Sequence, residues 1–147
     1  TLANEARNGE GEEVLLRAIA LDPSNARLYY HLGAIRLRSG KSAEAEQAFV
    51  KAIQLKPDYA PPHYQLGKLL ARSNHPAQAA RELETAVRYQ SDLTQAYYQL
   101  SRVYAQLGRK EESERALATF NEIKKQEADL DSEFAEDVRK ELQPADP

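Results

Sequence analysis

The chain has 147 residues, of which 29% are charged and 41% hydrophobic, and its formal net charge is −3. It contains no cysteine, which excludes disulfide frameworks and thiolate metal sites. It also lacks an apolar run of about 18 residues, and its first residues do not have the charge and hydropathy pattern of a signal peptide. These properties predict an ordered helical or globular chain with no membrane insertion, and they favour the cytoplasm.

The first 25 residues predict part of a repeat. The stretch GEEVLLRAIALDPSN at 11–25 has the apolar pattern of AEQAFVKAIQLKPDY at 45–59, so that Leu15 and Ile19 correspond to Phe49 and Ile53. We therefore predict a helix at about 10–21 that is the second helix of a helix pair. Its first helix would have to precede Glu10, so we expect further repeats or another domain upstream of this sequence.

Three units of 34 residues follow, at 26–59, 60–93 and 94–127. Each has two ring-bearing residues at its fourth and fifth positions, and the second ring is followed two positions later by leucine. The pairs are Tyr29–Tyr30, His63–Tyr64 and Tyr97–Tyr98. Apolar residues recur at the spacing of an amphipathic helix, and no useful length alternates with period two. We predict an all-α fold, with helices at 26–38, 42–55, 60–72, 76–89, 94–106 and 110–126.

Turn residues separate the two helices of each unit. Gly40, Asn74 and Gly108 each follow a predicted first helix, at the position where a positive φ ends a helix. Pro76 suits the first turn of the helix after it. These residues predict helix pairs joined by tight turns.

The acidic segment 128–147 predicts a C-terminal capping helix and a short tail. Ile123, Leu130, Phe134, Val138 and Leu142 recur at helical spacing, and we expect a helix over 131–143 that covers the last repeat. One long helix from Lys110 onward is the alternative, because no glycine or proline interrupts this stretch. The tail 144–147 is expected to be frayed.

Charge divides the chain into a basic middle and an acidic end. Residues 26–109 contain twelve bases and six acids, and residues 121–147 contain nine acids and four bases. The excess of bases in the middle is modest and the tail opposes it, so the pattern argues against a nucleic-acid partner. The acidic end instead resembles a ligand for the basic middle, of the same or a neighbouring molecule.

No constellation for catalysis, a metal or a cofactor is visible. His31, His63 and His75 occupy different repeat positions without accompanying carboxylate motifs, and the six glycines form no phosphate-binding loop. His63 replaces a packing aromatic residue and is expected to be a partly buried spacer. We therefore predict no enzyme activity and no cofactor.

The units resemble the tetratricopeptide repeat over about residues 10–125. The family pattern of large, small and aromatic residues is met throughout the first unit by Tyr29, Leu32, Gly33, Ala45, Phe49, Ala52 and Pro57. The third unit departs from it, because Phe120 stands where alanine is usual. The resemblance implies a right-handed α-solenoid of antiparallel helix pairs, in which small residues let helix axes approach.

The resemblance also implies that the first helices line a concave, ligand-binding face. Carrying the family's groove positions over gives Arg27, Tyr30, His31, Arg38, Tyr64, Lys68, Arg72, Tyr98, Gln99 and Arg102. This set combines tyrosines with bases and has no acid, so it implies a protein or peptide ligand that is acidic and partly apolar. The tyrosines as scaffold and the bases as a solvated surface remain the alternative interpretation.

Together these features predict a protein–protein interaction scaffold. The lysines and asparagines of the family's clamp for C-terminal carboxylates are replaced by residues such as Tyr30, Ala34 and Gln65, which argues against that ligand. A regulatory or substrate-presenting arm of a larger enzyme or assembly is one alternative. A structural array that self-associates through its C-terminal segment is another.

Overall fold

The computed structural model of the chain describes residues 1–143, and these form seven α-helices. The helices are α1 Leu2–Leu21, α2 Ala26–Arg38, α3 Ser42–Leu55, α4 Ala60–Arg72, α5 Pro76–Tyr89, α6 Thr94–Gln106 and α7 Lys110–Leu142. The predicted all-α fold is confirmed, and α2 to α6 have the predicted bounds. The predicted fraying of 144–147 lies outside the described residues.

The turns between paired helices share one hydrogen-bond pattern. Gly40, Asn74 and Gly108 have φ values of 75°, 63° and 72°. After α2, for example, the Gly40 amide donates to the carbonyl of Leu37, and the Lys41 amide donates to that of Arg36. This is a Schellman arrangement, which satisfies the last helix carbonyls and requires the left-handed residue. The predicted turn chemistry is therefore confirmed at all three places.

Each first helix packs against the second helix of its unit, and neighbouring units stack through α1–α2, α3–α4 and α5–α6 contacts. In the first two units, the close approach of the first helix to the second depends on a glycine. A Cβ added to Gly33 would lie 2.6 Å from the Phe49 ring, and one added to Gly67 would lie 2.7 Å from Leu83 Cγ. Phe49 and Leu83 are fully buried, so neither side chain has free space to move into.

In the third unit, serine replaces glycine at the point where the two helices come close. Ser101 lies at the position of Gly33 and Gly67, and Ser113 faces it from α7. The Ser113 hydroxyl donates to the Ser101 carbonyl at 2.8 Å, and the two hydroxyl oxygens are 3.3 Å apart. The small polar residues therefore satisfy one another inside the helix pair.

The first helix is longer than predicted. It begins at Leu2 rather than near Glu10, and Gly9 and Gly11 do not interrupt it. Glu12 anchors α1 to the next unit, because its carboxylate contacts Arg36 at 2.8 Å and Lys41 at 3.1 Å. These two bases hold the pKa of Glu12 below its ordinary value.

The C-terminal segment does not cap the last repeat. Residues 110–142 form one continuous helix, and every residue of 131–143 is exposed. The prediction of a covering helix at 131–143 is wrong, and the single-helix alternative is correct. Nothing breaks the helix, and ion pairs such as Lys124–Glu127 at 3.2 Å and Lys140–Asp137 at 3.6 Å form along it.

The first ring of each doubled pair ties neighbouring units together. The polar atom of its side chain donates to the backbone carbonyl six residues earlier, in the turn that follows the last helix of the preceding unit. The bonds are Tyr29 Oη to Pro23 O at 3.2 Å, His63 Nε2 to Pro57 O at 2.7 Å, and Tyr97 Oη to Ser91 O at 3.0 Å. We call them the junction hydrogen bonds.

His63 forms the middle junction hydrogen bond with an imidazole ring that also contacts a carboxylate. Its Nε2 donates to the Pro57 carbonyl, and its Nδ1 lies 2.7 Å from the Glu82 carboxylate, so both ring nitrogens face acceptors. Burial of the ring lowers its pKa, but the Glu82 and Pro57 hydrogen bonds outweigh burial and raise the pKa above 6.5. The partly buried spacer predicted from the sequence is therefore a buried imidazole with two hydrogen-bond partners.

Folding stability should consequently depend on pH through His63. Because its folded pKa is raised, the stabilisation is complete below pH 6.5 and is lost as pH rises through the folded value. His63→Tyr keeps a donor for the Pro57 carbonyl, as at Tyr29, and removes the titration. Urea unfolding between pH 6 and 9 should show wild type losing stability relative to this variant, and parallel pH curves would contradict the assignment.

Candidate functional site

All ten predicted groove residues lie on the first helices α2, α4 and α6. Four of them, Lys68, Arg72, Gln99 and Arg102, meet around a single cavity of about 220 Å³ between α4 and α6. The lining is completed by Ala71, Val103 and Gln106. We call this the α4–α6 cavity.

The α4–α6 cavity combines apolar side chains with polar and basic ones. Ala71 and Val103 supply the apolar surface, and Val103 is almost fully buried. Lys68, Arg72 and Arg102 supply positive charge, and the lining contains no carboxylate. Val103 was not among the residues predicted to line the site.

The cations of the α4–α6 cavity are not neutralised by other described residues. Within residues 1–143, none of Lys68, Arg72 and Arg102 has a carboxylate within ion-pair distance. Burial lowers the pKa of Lys68, and the neighbouring Arg72 lowers it further. An anionic group brought into the cavity would relieve this repulsion.

Tyrosines hold two of these cations one helical turn away. Lys68 Nζ lies 5.2 Å from the Tyr64 ring centroid, and Arg102 Cζ lies 6.0 Å from that of Tyr98. Each pair is spaced i, i+4 on its helix, so the ring supports the base from the same face. Cation–π contacts of this exposed kind contribute about 0.5–1 kcal/mol each.

The three groove tyrosines are partly scaffold and partly surface. The Tyr30 ring lies 6.0 Å from Phe49 and 5.6 Å from Tyr59, which ties it to its own unit. Tyr98 packs on Phe120 at 5.4 Å and remains exposed on its other side. Burial raises the pKa of Tyr64. Phe120, unusual at its position, therefore packs on a groove tyrosine rather than on a further repeat.

Arg27, His31 and Arg38 do not join the α4–α6 cavity. Arg38 lines a separate cavity of about 590 Å³ beside α1, together with Arg7 and Ile35. His31 is exposed and its ring lies 5.3 Å from that of Tyr30. Arg27 is exposed in the first turn of α2. The predicted groove residues of α2 are thus separated from the α4–α6 cavity.

A second polar cluster was not predicted from the sequence. The Tyr104 hydroxyl donates to Glu84 at 2.7 Å, and Arg109 lies over its ring at 4.6 Å and pairs with Glu112. Burial, reinforced by Glu84, raises the pKa of Tyr104. These residues come from α5, α6 and the start of α7, so no local pattern links them. Arg109 is paired here, unlike the cations of the α4–α6 cavity.

The described part of the chain contains no group of three or more histidine, aspartate or glutamate side chains placed to hold a metal ion. Among residues 1–143, no helix is both long enough and apolar enough to cross a membrane.

Comparison with known proteins identifies the repeats. Three family models described as tetratricopeptide repeat match residues 14–47, 36–100 and 94–127. No curated protein matches the chain significantly. Among solved structures, one of MamA has a TM-score of 0.74 at 23% identity and covers 83% of this chain and 71% of its own. Another MamA structure has a TM-score of 0.70 at 21% identity and covers 95% and 70% respectively.

The structure of YrrB, a tetratricopeptide repeat protein with an unusual peptide-binding site, is also similar. Its TM-score is 0.71 at 25% identity, and the alignment covers 83% of this chain and 63% of YrrB. The shared fold extends over most of the helices described above.

Proposed function

The chain belongs to the tetratricopeptide repeat family, whose arrays are typically non-catalytic scaffolds for protein contacts, and we propose that its α4–α6 cavity binds an acidic peptide segment. The observation that carries this proposal is the set of three unpaired cations, Lys68, Arg72 and Arg102, around an apolar floor. Carboxylates of a ligand would pair with these cations, with arginine able to bind them bidentately.

The size of the α4–α6 cavity favours one large apolar side chain in the ligand. A cavity of about 150 Å³ admits benzene, and this one measures about 220 Å³. Val103 and Ala71 would contact the apolar group while Gln99 and Gln106 offer hydrogen bonds at the rim. The ligand we propose therefore has an aromatic or aliphatic residue with acids close on either side. The known peptide-binding site of YrrB gives a precedent among proteins of this fold.

Fluorescence anisotropy with two synthetic peptides tests this proposal. The first has one phenylalanine flanked by aspartates, and the second replaces each aspartate with lysine. We expect the acidic peptide to bind wild type and to bind Arg72→Ala/Arg102→Ala at least about tenfold more weakly, because two charge-assisted contacts are lost. Affinity should also fall as salt rises.

A matched variant controls for the change in net charge. Arg81→Ala/Arg88→Ala removes two exposed arginines of α5 that do not line the α4–α6 cavity. This variant should keep wild-type affinity for the acidic peptide. Equal weakening in both variants, or equal binding of the lysine peptide, would show that the cavity is not the binding site.

A further inference from the structure

The second half of α7 is an amphipathic helix that no other helix of residues 1–143 covers. Leu130, Phe134, Val138 and Leu142 follow one another every four residues, and their exposed fractions are 64%, 72%, 36% and 77%. We call these four residues the α7 ridge. Large apolar side chains aligned on one exposed face are typical of a helix that binds another surface.

Acids flank the α7 ridge at Phe134, its aromatic residue. Asp131 and Asp137 each lie three positions from Phe134, and residues three apart share a helix face. Over residues 121–143 there are eight acids and four bases. The ridge therefore has the features proposed above for the ligand: one aromatic side chain with carboxylates close on either side.

The α7 ridge does not reach the α4–α6 cavity of its own molecule. Because α7 is unbroken from Lys110 to Leu142, its second half projects away from the helix pair to which its first half belongs. The ion pair within 131–143 joins Asp137 to Lys140 and involves no groove residue. The expectation that the acidic segment fills the chain's own groove is therefore wrong.

Resting on the proposed function of the cavity, we propose that its occupant is the α7 ridge of a second copy of this chain. Phe134 of one copy enters the α4–α6 cavity of the other against Val103, and Asp131 and Asp137 pair with its cations. The carboxylates beside the α7 ridge and the cations of the cavity then neutralise one another. Such an interface joins two different surfaces, so it forms either a reciprocal pair or a head-to-tail series.

Charge distinguishes this partner surface from the other apolar surfaces of the chain. Two α7 ridges packed together would bring two acidic segments into contact, which is unfavourable. The uncovered face of α1 is also disfavoured, because Leu2–Leu21 contains four acids and two arginines. The α4–α6 cavity offers unpaired positive charge next to apolar surface, so it is the complementary partner.

Sedimentation velocity of the full chain at several concentrations tests the proposal. Wild type should shift from monomer towards larger species as concentration rises. Arg72→Glu/Arg102→Glu and Asp131→Lys/Asp137→Lys should each weaken association by about tenfold or more, since each puts like charges together. All four residues are exposed, so these changes should leave the circular dichroism spectrum unchanged.

Two control variants carry the same charge changes on other surfaces. Asp129→Lys/Glu136→Lys alters the face of α7 opposite Phe134, and Arg81→Glu/Arg88→Glu alters α5. Both should associate like wild type. Combining the cavity and ridge reversals in one chain should restore association, because the charges are again complementary.

Several results would overturn the proposal. A wild-type chain that remains monomeric at all concentrations excludes the second copy as occupant. If Arg72→Glu/Arg102→Glu associates as strongly as wild type, the α7 ridges pair with one another. If Asp131→Lys/Asp137→Lys associates as strongly as wild type, the contact lies elsewhere. Failure of the combined reversal to restore association excludes the proposed pairing of charges.

The peptide assay separates this inference from the proposed function. It is repeated with Asp131→Lys/Asp137→Lys, in which the cavity is not occupied by another copy. If the acidic peptide binds while wild type remains monomeric, the cavity is a peptide site and its occupant is not α7. If the acidic peptide fails to bind this variant, the proposed function itself is wrong.

Discussion

Replacing Phe49 with alanine is expected to lower the free energy of unfolding by about 3–5 kcal/mol. Phe49 is fully buried between α2 and α3, against the backbone at Gly33 and beside the Tyr30 ring. Its removal leaves a cavity that α2 and α3 cannot close without moving. Since each unit of a solenoid is stabilised by its neighbours, the loss should also weaken the attachment of α1.

Urea unfolding followed by circular dichroism measures this effect. Leu117→Ala is the matched control, because Leu117 occupies the same repeat position in the third unit and is 42% exposed, whereas Phe49 is 0% exposed. The control should lower the free energy of unfolding clearly less than Phe49→Ala does. Equal losses would mean that repeat position rather than burial determines the contribution, which would contradict the packing described here.

Replacing Gly67 with alanine is expected to destabilise the fold by about 1–3 kcal/mol through overpacking. The new methyl group would lie 2.7 Å from Leu83 Cγ and 2.9 Å from Cδ2, with the Ala79 carbonyl at 3.3 Å. Leu83 is fully buried and cannot turn aside, so α4 and α5 must separate. This cost exceeds the gain in helix propensity.

Gly9→Ala provides the opposite expectation within the same chain. Gly9 also lies inside a helix, but nothing lies within 4 Å of its added Cβ. This variant should raise stability by about 0.5–1 kcal/mol, the usual gain when alanine replaces glycine in a helix. The two variants are compared by their urea midpoints, and a stabilised Gly67→Ala would refute close packing at that position.

The helices from α2 to α6 could be predicted to the residue because local signals and the repeat agree. Gly40, Asn74 and Gly108 end the first helices, and the apolar spacing identifies the second ones. At the C-terminus the local signal was incomplete. Leu130 and Phe134 indicated a helix, but periodicity alone does not distinguish a new helix that folds back from a continuation of α7.

The candidate site was predictable where it depends on repeat register. Lys68 and Arg102 occupy equivalent positions of successive units, so the register alone placed them on the same face. Arg38 was assigned to the same groove and lies in another cavity, since its surroundings depend on how α1 packs. The Tyr104–Glu84 contact joins separate units and depends on the exact stacking of the units, which the sequence pattern does not specify.

The junction hydrogen bonds affect how firmly neighbouring units of the array are held together. Each of them links a first helix to the turn that ends the unit before it, so the loss of one bond loosens one boundary between units. The Tyr29 and Tyr97 bonds each have one carbonyl acceptor, whereas the His63 ring also contacts the Glu82 carboxylate through its second nitrogen. Because the pKa of His63 is raised, we expect the boundary between the units at 26–59 and 60–93 to loosen as pH rises through the folded value.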